Sequence, residues 1–401
     1  MWRSTRLLTF SRDFRSAGSR PRFRPSLVGA LATAGGLGCA GLAAILGVDG
    51  GSSASQRVIW RYPAAANLIA PAIDDSLAFF ASMAHQVIAL DRRTGSHRWA
   101  SVQALSGFAP GEELLVVNDL VLFPDYDVYA FDRRTGALKW RFRDSTTTGA
   151  GYFRLSTDST RVYAGSASGY AYAIDASTGI RRWRTRIATD TFYTKVRNPV
   201  VNAGLVVVTY GRGPGVGTGG VAALDAVTGA VRWQRELPPE GAGQPSGGMG
   251  SAVFYGSLVI ASSGDGRIYG LDRATGSIVW TTPRAPWMGP IVGDIRHLVL
   301  CGDIVAASST DQSITGLDAA TGSLRWQVNP ERGSILDEMT VSDSTLYVAF
   351  LTFQVASVNC RRGRVNWLTS ASVDGEFWIF PAVGDSAIYV VGPSGFYALR
   401  R

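Results

Sequence analysis

One phrase is written seven times along this chain: an aliphatic pair, Asp, two residues, Thr-Gly, three residues, Trp. Its best copies run from Ala89-Leu90-Asp91 to Trp99 and from Ala223-Leu224-Asp225 to Trp233. Its first polar position is held by Asp91, Asp132, Asp175, Asp225, Asp272, Asp318 and Asn359. Four residues later come Gly95, Gly136, Gly179, Gly229, Gly276, Gly322 and Gly363. Four later again come Trp99, Trp140, Trp183, Trp233, Trp280, Trp326 and Trp367. The copies recur every 41 to 50 residues and are rich in strand formers. That period and composition predict an all-β chain folded as a β-propeller. A propeller is a scaffold, so its chemistry has to be sought in individual residues.

Each phrase has a local reading. The stretch before Asp, as in Ile268-Tyr269-Gly270-Leu271, reads as a strand. Asp-x-x-Thr-Gly reverses the chain: the Asp carboxylate accepts from backbone N–H groups just ahead, and Gly takes the positive φ of a tight hairpin. Trp returns on the next strand. A buried Trp hides on the order of 200 Å² and needs one partner for its indole N–H. The equivalent tryptophans are therefore expected to be structural plugs between neighbouring sheets. Two further strand signals precede each phrase, for example Gly151-Tyr152-Phe153-Arg154-Leu155 and Arg161-Val162-Tyr163-Ala164, separated by Thr157-Asp158-Ser159. Four antiparallel strands make one blade.

The ends set the count. After Trp367 an eighth unit begins at Phe377-Trp378-Ile379-Phe380 and stops after Phe396-Tyr397-Ala398-Leu399. Its missing outer strand is supplied by Arg57-Val58-Ile59-Trp60-Arg61-Tyr62. The expectation is an eight-bladed propeller over residues 57–401, its last blade closed by residues 57–62, with Trp60 as the eighth plug. Such closure removes free sheet edges.

The phrase resembles the tryptophan-docking repeat of the pyrroloquinoline-quinone (PQQ) propeller superfamily, over nearly all of 57–401. Blade seven departs from it: Asn359-Cys360-Arg361-Arg362-Gly363 lacks both Asp and Thr, which predicts a looser turn. The superfamily holds quinoprotein alcohol dehydrogenases. It also holds non-catalytic propellers, among them the lipoprotein subunit of the outer-membrane β-barrel assembly machine. The enzymes of this resemblance often carry two adjacent cysteines beside PQQ, and hold Ca²⁺ through carboxylate and amide oxygens. Adjacent cysteines do not occur here, and no cluster of oxygen ligands can be read from the sequence. The resemblance is thus closer to the assembly subunit, with no catalytic residue, metal or cofactor assigned.

Charge is distributed unevenly. The net charge is +8, but residues 1–25 carry seven arginines against Asp13 and so supply +6 of it. The rest is close to balanced, which argues against a nucleic-acid partner. The basic segment precedes an uncharged run, 26–48, whose stretch Leu27 to Val48 is 22 residues long. About 20 residues span hydrocarbon. This is the layout of a signal peptide or signal anchor, with the arginines cytoplasmic and the propeller exported. Gly36-Leu37-Gly38-Cys39 loosely resembles a lipobox, which makes Cys39 a lipidation candidate. The linker 49–56, fully extended, reaches about 27 Å.

The remaining chemistry is sparse. Gly215, Gly217 and Gly220 form a G-x-G-x-x-G, but a strand and not a helix follows, so an enlarged hairpin loop in blade four is expected. His85, His97 and His297 lack metal-ligand spacing. Cys301 and Cys360 fall in turns on one face at different radii, which leaves a disulfide open. The innermost strand of each blade lines the channel, so polar residues there face the channel or its rim. The binding candidates are Arg154, Lys195, Arg197, Asp337, Glu338 and Glu376, with Glu112-Glu113 and Trp287-Met288 on loops leading into inner strands. Mixed charge with aromatics suits protein contacts. The expectation is a membrane-tethered scaffold that binds proteins, by resemblance a component in outer-membrane β-barrel assembly. A PQQ oxidoreductase and a ligand-binding sensory ectodomain are the alternatives.

Overall fold

The structure is a computed structural model that describes residues 57–64, 69–102, 113–146, 151–187, 195–211, 219–237, 250–263, 266–283, 295–309, 313–329, 335–350, 354–369, 379–392 and 395–401. For 295–296, 309, 335–338 and 379–380 only the backbone is described. The basic segment, the signal or anchor run, Cys39, Trp287 and Glu376 lie outside these residues, as do the side chains of Asp337 and Glu338.

The strands form eight antiparallel sheets of four, each with its strands in chain order from the axis outward, except the last. Blade 3 is representative: Tyr152–Thr157, Arg161–Ser166, Tyr170–Asp175 and Arg181–Arg186. In blade 8 the outer strand is Val58–Pro63, which pairs with Gly395–Arg400 in the register Trp60↔Ala398 and Tyr62↔Phe396. The first and last described strands therefore share one sheet, as the sequence predicts. Eight buried apolar clusters fill the eight gaps between blades.

The repeated phrase builds both the turn and the joint between blades. In blade 4, Asp225 Oδ1 accepts from the N–H groups of Val227 and Thr228 and from the Thr228 hydroxyl. Its Oδ2 takes the Arg232 guanidinium at 2.6 Å. Gly229 closes the turn at φ +73°, and a Cβ there would lie 2.5 Å from the Trp183 ring of blade 3. The glycine is thus required twice, for a left-handed backbone and as a flat platform for the neighbouring indole. Docked indole N–H groups donate to the carbonyl one residue past the next Asp, among them Trp60 to Arg92 O, Trp99 to Arg133 O, Trp140 to Ala176 O and Trp233 to Arg273 O, at 2.9–3.0 Å.

The joint varies at three places. Trp280 lies over Gly322, but its Nε1 has no hydrogen-bond partner among the described residues. In blade 7 the side chain of Asn359 accepts one turn N–H, from Arg362, where Asp225 accepts three bonds. The turn still keeps Gly363 at φ +64° and the backbone bond from its N–H to Asn359 O. At the closure no motif turn lies between the last two strands, and the Arg57 guanidinium covers the Trp367 ring at 4.1 Å instead.

Cys301 and Cys360 are joined, with Cα atoms 6.1 Å apart. The docking geometry removes the radial gap between their turns. The carbonyl of Cys360, the residue after Asn359, accepts the Trp326 indole N–H at 2.7 Å, so this turn leans back across the gap onto blade 6. The bond closes a separation of 59 residues, for which chain entropy implies about 4 kcal/mol of stabilisation.

Candidate functional site in the central channel

The inner strands bring one residue per blade to a common level. Strand pairing fixes the level: Leu155↔Ala164, Ala252↔Ala261, Leu298↔Ala307 and Met339↔Val348 occupy equivalent positions. The residue before each is Arg154, Ser251, His297 and Glu338. In blades 2 and 4 the equivalent level is one rung inward of Leu115↔Leu122 and Val200↔Val207, at Leu114 and Pro199, and the residue before each is Glu113 and Asn198. The same step inward from Ala72↔Phe79 in blade 1 and Ala382↔Tyr389 in blade 8 reaches Pro71 and Pro381, and the residue before each is Ala70 and Phe380. A direct bridge pairs Ala70 with Glu113. Six consecutive blades thus contribute polar residues to one tier, and two contribute apolar ones.

Backbone irregularity coincides with this tier. The inner strands of blades 3, 4, 6, 7 and 8 each shift register here, between Tyr152 and Leu155, Arg197 and Val200, Ile295 and His297, Ile335 and Met339, and Ile379 and Ala382. Bulges re-aim side chains that a regular strand would send into the sheet face, and they concentrate beside functional sites. Asn198 is held at φ +48°, a conformation a non-glycine residue rarely adopts.

Hydrogen bonds tie the tier together around the ring. Arg154 donates from Nε to Glu113 Oε2 at 2.6 Å, and its Nη1 lies 2.8 Å from His297 Nε2. His297 Nδ1 accepts the Met339 N–H at 3.1 Å. Ser251 Oγ accepts the Leu298 N–H at 2.6 Å, and Asn198 Nδ2 donates to Gly250 O at 3.0 Å. Burial, and then the charge of Arg154, holds the His297 imidazole well below its usual pKa, so it stays neutral. A cavity of about 430 Å³ opens against this tier, its wall including Glu113, Arg154, Ser156, Asn198, His297 and Thr340.

Of the sequence candidates, Arg154 lines the cavity. Lys195 and Arg197 sit on the next blade, over the Phe153 ring at 5.9 and 4.2 Å, outside the cavity wall. His97 is exposed on an outer strand and stacks on Tyr62, ring centroids 6.1 Å apart. The G-x-G-x-x-G is the loop of a hairpin, Leu205–Gly211 with Gly219–Asp225, and residues 212–218 lie outside the described part. Sequence reading missed Ser156, Asn198 and His297. It also missed the basic residue seven after the motif Asp: Arg98, Lys139, Arg182, Arg232 and Arg325 each pair with their Asp at 2.5–3.2 Å. The Arg325 guanidinium, with the Thr321 hydroxyl, pulls the Asp318 carboxyl down to about 2. Folded-state pKa values below the unfolded ones add stability above the ordinary carboxylate range, and that contribution is lost as pH falls.

A hard-cation and quinone site needs several converging oxygens or sulfurs. Among the described residues no three His, Cys, Asp or Glu side chains converge in that way. The two propeller cysteines are joined across blades 6 and 7.

The class is therefore a closed eight-bladed β-propeller with tryptophan-docked blades and a polar tier in its channel. Residues 124–287 and 310–399, more than half of the chain, match the family described as outer membrane protein assembly factor BamB, and the chain belongs to that family. No curated protein sequence matches it. Among solved structures, BamB from Moraxella catarrhalis is similar at TM-score 0.62 and 18% identity, over 85% of this chain and 96% of that one. The computationally designed Ika8 protein reaches 0.68 at 14% identity, over 86% and 100%. The quinohemoprotein alcohol dehydrogenase from Comamonas testosteroni reaches 0.62 at 13%, over 86% and 76%. At these identities the structural likenesses concern the fold.

Proposed function

We propose that this protein is a non-catalytic, exported scaffold that binds protein partners during outer-membrane protein assembly. Family membership is the observation that carries the reading. The perimeter suits it. Among the described residues the outer strand of each blade pairs with a neighbouring strand on one side only, and an extended segment can add to the other. The outer strands carry exposed apolar side chains, among them Leu138, Val231, Val279 and Leu324, beside the arginines of the motif. The basic flank and apolar run of residues 1–48 support export with a retained anchor, or lipidation at Cys39, either of which holds the ring near a membrane.

The test is cross-linking of the full-length protein in its own membranes, followed by detergent extraction and mass spectrometry. A membrane β-barrel protein or assembly component, enriched over a control with the anchor alone, is the expected result. Enrichment of neither would overturn the reading.

A second reading, a PQQ oxidoreductase, has the fold likeness to the quinohemoprotein dehydrogenase behind it. Adding PQQ with Ca²⁺ would then raise the melting midpoint, because a ligand that binds only the folded state stabilises it. An unchanged midpoint leaves the scaffold.

A further inference from the structure

Positive charge is gathered at one place on the perimeter. The outer strand of blade 3, Arg181–Arg186, carries four arginines in six residues. The outer strand of blade 2, Leu138–Phe142, carries Lys139 and Arg141, and Arg143 follows it. In blade 5 the same strand, Ile278–Thr281, has no charged residue. In blade 6, Leu324–Val328 has one, Arg325, which is tied to Asp318.

Two buried carboxylates fix these cations in place. Asp127, whose side chain is fully buried, takes both Arg141 and Arg143. Asp144, just past the blade 2 strand, takes Arg184 at 2.8 Å and Arg181 at 3.3 Å and so bridges to blade 3. One carboxylate for two guanidiniums leaves each group net positive. The four arginine side chains are still 30–52% exposed. Their rotamers are already set by the fold, so engaging a phosphate from outside costs little further ordering. The Tyr170 ring lies under Arg184 and Arg186, at 4.8 and 5.8 Å. Tyr126 precedes Asp127, Leu138 precedes Lys139 and Ile180 precedes Arg181, and all three are exposed. Arginine mixed with tyrosine and aliphatic residues is the composition of a membrane-interface surface.

We propose that the outer rim of blades 2 and 3 docks on an anionic phospholipid surface. The guanidiniums take headgroup phosphates, and Tyr126, Leu138 and Ile180 enter the headgroup layer. Charge complementarity selects the occupant. Four arginines in six residues blunt the blade 3 edge against an added peptide strand, whereas a headgroup layer needs no backbone pairing. The inference rests on the proposed tether: Leu27 to Val48 is long enough to span a bilayer, and the linker 49–56 keeps Arg57 within about 27 Å of it. Docking fixes which edge meets lipid and leaves the uncharged edge of blade 5 to protein partners.

The test compares the full-length protein in nanodiscs of phosphatidylcholine and of phosphatidylcholine with phosphatidylglycerol, by hydrogen exchange and mass spectrometry. Peptides covering 138–146 and 181–187 are expected to exchange more slowly in the anionic discs, and those covering 277–283 and 324–329 equally in both. The difference should vanish at about 1 M salt, where charge is screened beyond about 3 Å. Each arginine near an anionic surface favours docking about fivefold. Arg143→Gln with Arg186→Gln should therefore lower the ratio of docked to free protein about 25-fold, while Arg325→Gln in blade 6 leaves it unchanged. If the double variant does not fold, the lipid and salt dependence of the unmodified protein decides. Equal exchange in the two discs, slowing that survives high salt, or a double variant that docks like the unmodified protein would each overturn the proposal. So would polyglutamate slowing the same peptides more than the anionic discs do, which would make the partner an acidic protein. Retention in the phosphatidylcholine discs tests the tether separately; without retention, protein added from solution to the anionic discs still tests the rim.

Discussion

The two ends of the blades are built under different constraints. At one end lie the Asp-x-x-Thr-Gly turns and the short turns that follow the inner strands, such as Ala203-Gly204 and Gly302-Asp303. There one backbone geometry is repeated: a glycine at φ near +70°, an indole on its face, and an indole N–H on the next carbonyl. At the other end lie the connections from each outer strand to the next inner strand. They range from six residues, between Val328 and Ile335, to fourteen, between Leu237 and Ala252. The polar tier is near that end, its six residues of five types: Glu113, Arg154, Asn198, Ser251, His297 and Glu338. Repetition at one end makes a stiff ring, and variation at the other makes a distinct cavity within it. The inner strands of five blades shift register where the blades cease to be equivalent.

The sharpest way to break this comparison is to open the ring. Deleting residues 57–62 removes the outer strand of blade 8, the Trp60 plug on Gly95 and the Arg57 cover on Trp367. Loss of a buried Trp alone costs about 3–5 kcal/mol. The truncated protein is expected to melt more than about 10 °C lower, or to be unfolded at room temperature, by circular dichroism. Melting at the wild-type temperature would mean that the closing strand contributes nothing.

Two glycines separate the turn from the joint. Gly229 and Gly204 have nearly the same backbone, φ +73° and +75°. A Cβ on Gly229 would press on the Trp183 ring at 2.5 Å, whereas one on Gly204 meets nothing within 4 Å. Gly204→Ala therefore carries only the left-handed backbone cost, about 1–2 kcal/mol. Gly229→Ala adds overpacking of about 1–3 kcal/mol. Equal destabilisation in urea melts would show that docking onto the glycine is worth nothing beyond the turn.

The docking end was legible because its physics is local. Asp, Thr, Gly and Trp stand at fixed offsets, so blade number, closure and the eight plugs could be counted from the sequence. The tier was legible only in part. Arg154 and Glu113 announced themselves as charges near inner strands, but Asn198, Ser251 and His297 looked like isolated polar residues. What joins them is register and bulge, which no single strand reveals. A signal was nevertheless present: Ala70, Arg154, Ser251, His297 and Glu338 each stand 21 residues before the motif Asp or Asn of their blade. Asn198 escapes that count because the next hairpin of its blade, Leu205–Gly211 with Gly219–Asp225, is six residues longer than its counterpart Arg161–Ser166 with Tyr170–Asp175. The disulfide was equally hard to read, since it depends on how far one turn leans over its neighbour.

The smallest expected effect tests whether the docking end is uniform. Trp140 and Trp280 hold the same place in their blades, and each covers the glycine of the next, Gly179 and Gly322. The Trp140 indole donates to Ala176 O at 3.0 Å, while Trp280 Nε1 has no partner among the described residues. The Trp280 ring lies instead against Gly270 of its own sheet, where a Cβ would come within 2.3 Å. Replacing either by Phe removes similar ring area. In Trp140→Phe a buried carbonyl also loses its donor, but in Trp280→Phe an unpaired donor disappears. The first variant should therefore be less stable than the second by about 1 kcal/mol, roughly 2 °C in melting midpoint. If the order is reversed, the Trp280 indole has a partner in solution and the blade 5–6 joint is as regular as the others.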